Sequence, residues 1–398
     1  MTYLFITFAL LLIWLSAKSL RGGFRYLDHF RRETERRPSG FTPFATVIAP
    51  CRGLDHDLEA NLASLFAQDY PAYEIVLVVD DGRDPSVPVI ERLMARSAVA
   101  AKLIVAAKAA NSAQKVENLR EGVQHACDAS QILVFVDSDA RPSKQWLRSL
   151  IAPLEDESVG AATGYRWFIS DEPSFASEMR SAWNASIASA LGPDSQNNFC
   201  WGGSTAIRRE IFERLGIRDR WRGTLSDDFT VTSVLRESEM PILFVPQALT
   251  PSFGNCTVRE LLSFTTRQMK ITRVYAPQLW LLSLLGSALF NGVMLASLAI
   301  VWLASHNDFL VFAAIATASI VSLLSLGKAW LRLKAVRRAM PEYRPQLRRQ
   351  AWTQYTFWLL TPALFLFNSI AALFSRTIEW RGIRYRLNSP RETVIISE

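Results

Sequence analysis

The sequence predicts an α/β domain built on a largely parallel sheet and joined to helices apolar enough to cross a membrane. Two observations carry this. Between residues 41 and 275, short β-rich runs alternate with helical stretches, the mark of strand–helix crossovers. Outside that region lie four long stretches without a single charge: Met1–Ala17, Leu279–Ala304, Phe309–Gly327 and Ala351–Ser375. Each is near the ~20 residues that span a bilayer core.

From the N-terminus, residues 1–20 read as a transmembrane anchor. A secretory signal would carry its positive charge before the apolar run, whereas here the charge follows it, from Lys18 onward. The whole chain has 398 residues and a formal charge of +7, and its basic residues crowd beside apolar runs. Arg21, Arg25, Arg31, Arg32, Arg36 and Arg37 follow the first; Arg332, Lys334, Arg337 and Arg338 follow the third. Such flanks face the cytosol. Charge placed against hydrophobic runs, rather than lining a polar domain, argues against a nucleic-acid partner. The four cysteines form no CxxC pair and the four histidines are scattered, so no zinc site is expected.

Within the cytosolic domain at 41–275, Ala45–Ala49 predicts a strand and Asp55–Ala67 a helix with Leu58, Leu62, Leu65 and Phe66 on one face. Glu74–Val79 is a buried strand, Ser86–Arg96 a helix, Lys102–Ala106 a strand, Gln114–His125 a helix and Ile132–Val136 a strand. Residues 276–375 form a membrane region of two to three hydrophobic segments, and 376–398 a basic tail. Ser305–Asp308 leaves room only for a tight link, and Leu331–Gln350 is basic and expected in the cytosol. Three crossings would put the tail outside, yet it holds Arg376, Arg381, Arg384, Arg386 and Arg391. The expectation is therefore that Ala351–Ser375 enters the membrane and returns, breaking near Thr361-Pro362.

In sheets of this kind ligands bind beyond the carboxyl ends of the strands. Two aspartate clusters stand there: Asp80-Asp81 after EIVLVV and Asp137-Ser138-Asp139 after ILVFV. Carboxylates two residues apart can hold Mg²⁺ or Mn²⁺ against a diphosphate. A polar turn closing a strand is the plainer reading of DxD alone. Asp81 suits a base or ribose contact, and Lys115, early in a helix, suits donor phosphates; a turn aspartate and a solvated lysine are the plainer alternatives. Asp227-Asp228 open a helix, where acids are favourable in any case, and a carboxylate there can take a proton from a hydroxyl. No GxGxxG or Walker sequence is present.

Together these residues resemble glycosyltransferase family 2, and most nearly the ceramide glucosyltransferases, from about Thr46 to Leu387. The likeness rests on Gln68-Asp69-Tyr70-Pro71-Ala72-Tyr73-Glu74, Asp84-Pro85, Lys115-Val116-Glu117-Asn118-Leu119, Gly202-Gly203-Ser204, Arg208-Arg209-Glu210 and Asp227-Asp228-Phe229. The ending Trp380-Arg381-Gly382-Ile383-Arg384-Tyr385-Arg386-Leu387 is its most specific part. The resemblance implies the Rossmann-like GT-A fold and inverting transfer of a hexose, glucose above all, from a UDP-sugar to a lipid hydroxyl. It assigns Asp81 to the nucleotide, Asp137 and Asp139 to the donor and a divalent cation (Mg or Mn), with Asp139 the direct ligand, and Asp228 to the catalytic base. The family's RxxRW falls at Arg267-Gln268-Met269-Lys270-Ile271, with Lys for Arg and Ile for Trp. Charge survives while the guanidinium fork and indole are lost, which argues against a polysaccharide polymerase and leaves Arg267 and Lys270 as diphosphate contacts. Asp139 itself departs from the ceramide branch, where that aspartate is often absent. The implied setting is an integral membrane protein, in a bacterial inner membrane, with a ceramide-like acceptor. A hopanoid or polyprenyl phosphate acceptor, an amino-sugar donor, and a non-catalytic transport or assembly protein are the alternatives. Thr257–Pro277 and Phe175–Leu191 are candidate helices for the membrane interface and the acceptor's path.

Overall fold

The structure is a computed structural model that describes residues 2–36, 39–303 and 307–397. Helix α1 (Thr2–Glu35) leads into β1 (Ala45–Pro50), α2 (Leu58–Phe66), β2 (Tyr73–Val79), α3 (Val87–Arg96), β3 (Ala100–Val105), α4 (Gln114–Gln124) and β4 (Ile132–Phe135). Next come α5 (Trp146–Ile151), β5 (Ala161–Ile169), α6 (Phe175–Ala188), β6 (Thr205–Arg208), α7 (Arg209–Arg214), α8 (Ile217–Arg220), α9 (Asp227–Glu237) and β7 (Ile242–Phe253). The chain continues through α10 (Val258–Tyr275), α11 (Pro277–Leu303), α12 (Asp308–Ala339), α13 (Arg344–Arg349), α14 (Ala351–Thr356) and α15 (Thr361–Phe374). It ends in β8 (Thr377–Trp380), β9 (Ile383–Ser389) and β10 (Glu392–Ser397).

Seven strands form one mixed sheet in the order β3-β2-β1-β4-β6-β5-β7, parallel except for β6, which runs antiparallel to both neighbours. The expected α/β class is borne out. Strands β1, β2 and β4 are buried along their whole length, which is why they read as unbroken apolar runs rather than alternating ones. Helix α2 starts at Leu58, not Asp55, because Asp57 takes a left-handed conformation, φ 54°, that a helix cannot include. The Gln68–Glu74 segment is structural. The Gln68 amide donates to the Ser64 and Ser143 carbonyls and accepts from Leu147 N, while Tyr70 and Tyr73 donate to the Pro43 and Leu65 carbonyls.

The pairing of β5 with β7 shifts register between Thr163 and Tyr165. At Gly164 between them, a Cβ would collide with the Ala248 carbonyl oxygen and Ser204 Oγ. Bulges of this kind re-aim side chains beside functional sites; here the next polar side chain along the strand is Arg166.

The chain divides into two compact units. One comprises Arg32–Glu172, Ala190–Asn255 and Arg376–Glu398; the other Met1–Arg31, Pro173–Ser189 and Cys256–Ser375. The units cut across the segment boundaries drawn from sequence. Helices α6 and α10, expected in the catalytic segment 41–275, belong with the apolar helices, and the basic tail belongs with the large sheet. Burial explains the second point: Ile383, Tyr385 and Leu387 on one face of β9 are buried, while Arg384 and Arg386 on the other are exposed.

In the helical unit, α1, α11 and α12 are long and apolar enough to cross a membrane. Ala9, Leu12, Val293 and Val321 form their shared core. Exposed Leu282, Leu298, Trp302 and Phe312 suit contact with lipid. Two helices outrun their expected ends: α1 continues through the basic flank, and α12 runs eight residues beyond Leu331 into the supposed link. The stretch Ala351–Ser375 is divided into α14 and α15, with Pro362 in the first turn of α15, which has 14 residues. Residues 304–306, which include Ser305 and His306 of the expected link Ser305–Asp308, lie outside the described residues, as does Arg37. Helix α10 starts with a capping box between Thr257 and Glu260 and packs on α15, where Thr265 and Thr266 donate to Asn368 Oδ1.

Candidate active site

Strand β4 ends at Phe135, and the turn that follows carries Asp137, Ser138 and Asp139 at the carboxyl edge of the sheet. Helix α4 starts close by and places Lys115 at its second residue. Helix α9 opens on Asp227 and Asp228, with Ser226 as N-cap accepting from Phe229 N.

These elements gather one cluster of charge. Lys115 Nζ lies 2.7 Å from Asp137 Oδ1 and 3.2 Å from Asp227 Oδ1, with its side chain 15 % exposed. Arg166 spreads its fork over both DxD carboxylates, at 3.1 Å from Asp137 Oδ2 and 3.1 Å from Asp139 Oδ2. Its guanidinium lies 4.8 Å from the centre of the Trp201 ring. Ser138 Oγ donates to Asp55 Oδ2 at 2.6 Å, and the other Asp55 oxygen pairs with Arg381 from the tail. Five carboxylates (Asp55, Asp137, Asp139, Asp227, Asp228) thus share three cations (Lys115, Arg166, Arg381).

The environment separates the acids. Burial opposes ionisation of Asp137, but Lys115 and Arg166 outweigh it and hold its carboxyl below the usual range. Burial pushes the Asp139 carboxyl upward, with Arg166 opposing and Asp137 and Asp55 adding to the rise. Burial also pushes Asp227 up to about 6, against the pull of Lys115. Lys115 is raised, because Asp137, Asp227 and Asp228 together outweigh its burial.

Among the described residues no group of three or more His, Cys, Asp or Glu side chains is arranged to hold a metal ion. The DxD pair nonetheless fits one. Asp139 Oδ1 is shielded from solvent without a hydrogen-bond partner. Mg²⁺-type sites commonly take only one or two carboxylates and complete their shell with water and substrate phosphate oxygens.

Of the residues singled out from sequence, Asp137, Asp139 and Lys115 come together, and Asp228 adjoins them. The acid that joins the Lys115 pair is Asp227. Asp228 lies in the first turn of α9, its Oδ1 accepting from the Ser226 hydroxyl and, at 2.8 Å, from Phe229 N; its Oδ2 makes no hydrogen bond among the described residues. Asp81 stands at the end of β2, separated from β4 by β1, and accepts from Arg83 N at 2.9 Å. That bond and the Arg83 guanidinium hold its carboxyl below the usual range. Its neighbour Asp80 is buried on Arg52 and Lys108, at 2.6 and 2.7 Å. Arg267 and Lys270 lie on α10 in the helical unit; the Arg267 guanidinium lies over Phe264, and burial lowers the Lys270 amine.

Sequence reasoning missed Arg166 and Asp55 as members of the cluster. A single Arg within AATGYRWFI was the one signal for Arg166; Asp55 gave none. It also missed the reason for Gly202, where a Cβ would meet Lys115 Nζ at 2.9 Å and Asp227 Cγ at 3.2 Å.

The family model for glycosyl transferase family 21 matches residues 6–393. A ceramide glucosyltransferase of Candida albicans is 33 % identical over 122 residues, 27 % of this chain and 22 % of the relative. One from Komagataella phaffii is 29 % identical over 86 residues, 21 % of this chain and 17 % of the relative. The matched region thus spans about a fifth of these relatives' length. Among solved structures, a mannosyltransferase of Pyrobaculum calidifontis in complex with GDP-Man and Mn²⁺ is similar with a TM-score of 0.49 at 18 % identity, covering 93 % of this chain and 99 % of that one.

Proposed function

The chain belongs to glycosyl transferase family 21, and from that premise we propose that it transfers glucose from UDP-glucose to the hydroxyl of a ceramide-like membrane lipid, with inversion at the sugar. The observation that carries the reading is the gathering of Asp137, Asp139, Asp227 and Asp228 around Lys115 and Arg166 at the carboxyl end of β4.

In this reading Asp228 takes the proton of the acceptor hydroxyl through its unengaged Oδ2 as that oxygen bonds to the anomeric carbon. The bond from that carbon to the UDP oxygen breaks, and negative charge grows on the diphosphate. Lys115 faces that charge, with Asp81 on the nucleoside. Fixed charge aimed at a leaving group in a shielded site is usually the largest single contribution to lowering such a barrier. Asp139, with Asp137, would hold a divalent cation, Mg or Mn, whose charge neutralises the diphosphate when bound. The surplus of carboxylates over cations supports such a cation.

A lipid acceptor is supported by α1, α11 and α12, each apolar enough to cross a membrane. Tail strands that share a compact unit with the large sheet belong on the sheet's side of the membrane. This supports an even number of crossings between them, supplied by α11 and α12, with Ala351–Ser375 entering and returning. The cytosolic face is the side that the basic flanks favour. Lipid extracts of cells making the chain should contain a new glucosylated lipid that is absent with Asp228→Asn. Equal glycolipid in both extracts contradicts the assignment of the base.

A further inference from the structure

The tail ends the family resemblance, yet its place in the structure is at the donor site rather than apart from it. Strands β8 and β9 are joined by a two-residue turn, with Trp380 paired to Ile383. Both turn residues have positive φ, 53° at Arg381 and 81° at Gly382, as in the type I′ turns that fit twisted hairpins. Glycine accepts this readily, but a non-glycine residue there is uncommon and costly unless the surroundings demand it. Arg381 is held in that conformation at the hairpin tip.

Three contacts fix where the tip lies. Arg381 pairs with Asp55, whose other oxygen is bonded by Ser138, the middle residue of the DxD turn. The Trp380 ring centre is 5.9 Å from Lys115 Nζ. The buried Tyr385 hydroxyl accepts from Gln114 N at 3.2 Å, the backbone amide just before Lys115. Asp55 is nearly enclosed, 8 % exposed, whereas the Arg381 side chain is 39 % exposed and can turn toward a ligand.

We infer that Arg381 is a binding residue for the donor diphosphate, brought to the DxD turn by the C-terminal hairpin and held by Asp55 when no donor is present. The chemistry fits. A guanidinium that forks onto a carboxylate presents the same geometry to phosphate oxygens. A plain staple between tail and sheet is the alternative that the test must separate.

This inference rests on the donor reading above, and the experiment distinguishes the two. Binding of UDP and of uridine to the full-length chain in nanodiscs is measured for wild type, Arg381→Ala, Arg381→Lys and Asp55→Asn, alongside thermal stability. Arg381→Ala should weaken UDP by about 10- to 100-fold, the worth of a hydrogen bond to a charged group, and leave uridine unchanged. Arg381→Lys should fall between the two. Asp55→Asn should tighten UDP binding, because it frees the guanidinium. Wild-type UDP affinity in Arg381→Ala, equal loss of UDP and uridine, or parallel losses in Arg381→Ala and Asp55→Asn overturn the inference in favour of a staple. A wild-type chain that does not bind UDP overturns the donor reading itself, and this inference with it.

Discussion

Replacing Gly202 by alanine tests the cluster through one atom. Gly202 carries no left-handed φ, so alanine meets no backbone penalty there, and the whole effect comes from what the new Cβ touches. It would stand 2.9 Å from Lys115 Nζ and 3.2 Å from Asp227 Cγ, and closer still to one Asp227 oxygen. Ordinary contact starts near 3.4 Å, so the ammonium must move by about half an ångström and the carboxylate by roughly 1 Å. The 3.2 Å ion pair between them cannot survive that shift unchanged. Overpacking of this size costs about 1–3 kcal/mol in stability. Misplacing catalytic groups by about 1 Å can cost on the order of 100-fold in rate. The variant should therefore melt a few degrees lower yet lose most of its donor turnover, measured as UDP released from UDP-glucose by the purified chain. Gly192→Ala is the control, since a Cβ there meets nothing within 4 Å. Turnover in Gly202→Ala within about threefold of the Gly192→Ala control would refute the claim that Lys115 and Asp227 act as a fixed pair.

Other outcomes follow from the same geometry. Asp228→Asn should lower transfer by about 10²–10⁴-fold with UDP affinity intact, as read by single-turnover kinetics; near-normal turnover moves the base elsewhere. Chelation should stop donor turnover, and Asp139→Asn should weaken Mn²⁺ binding by at least about tenfold in electron paramagnetic resonance titrations; unchanged Mn²⁺ affinity contradicts Asp139 as the ligand. The donor-free chain should also show a pH signature. Burial pushes Asp227 up to about 6 from 3.8, so between those values the folded chain keeps a proton that the unfolded chain has released. Its contribution is present in full below the unfolded value and is lost as pH rises through the folded one, at up to about 1.4 kcal/mol per pH unit. Melting of wild type against Asp227→Asn from about pH 4 to 7 should show this decline in wild type alone; parallel curves contradict it.

Much of the first half of the sheet was legible in the sequence. Strands β1, β2 and β4 are apolar on both faces, and β2 and β4 each run into an aspartate pair, so pattern and chemistry pointed the same way. The antiparallel β6 and the bulge at Gly164 were not legible. β6 has Thr205 and Arg208 at its ends and so lacks the unbroken apolar run that marks β4, and the reason for Gly164 is a carbonyl more than eighty residues away, at Ala248. The same holds for the site. Asp137, Asp139 and Lys115 were found because they follow a strand or open a helix. Asp55 and Arg166 act only through partners distant in sequence, and Arg381 looked like one basic residue among several in the tail. The split of Ala351–Ser375 near Pro362 was readable because proline removes a backbone donor.

The central claim, inverting transfer of glucose to a lipid hydroxyl, is tested most directly by one product analysis. Purified chain in nanodiscs containing ceramide is given isotope-labelled UDP-glucose with Mn²⁺, and the lipid fraction is resolved and its anomeric configuration read by NMR. The account predicts label in a lipid β-glucoside, formed only with the cation and lost with Asp228→Asn. Label recovered solely as free glucose, or as a lipid α-glucoside, would contradict it.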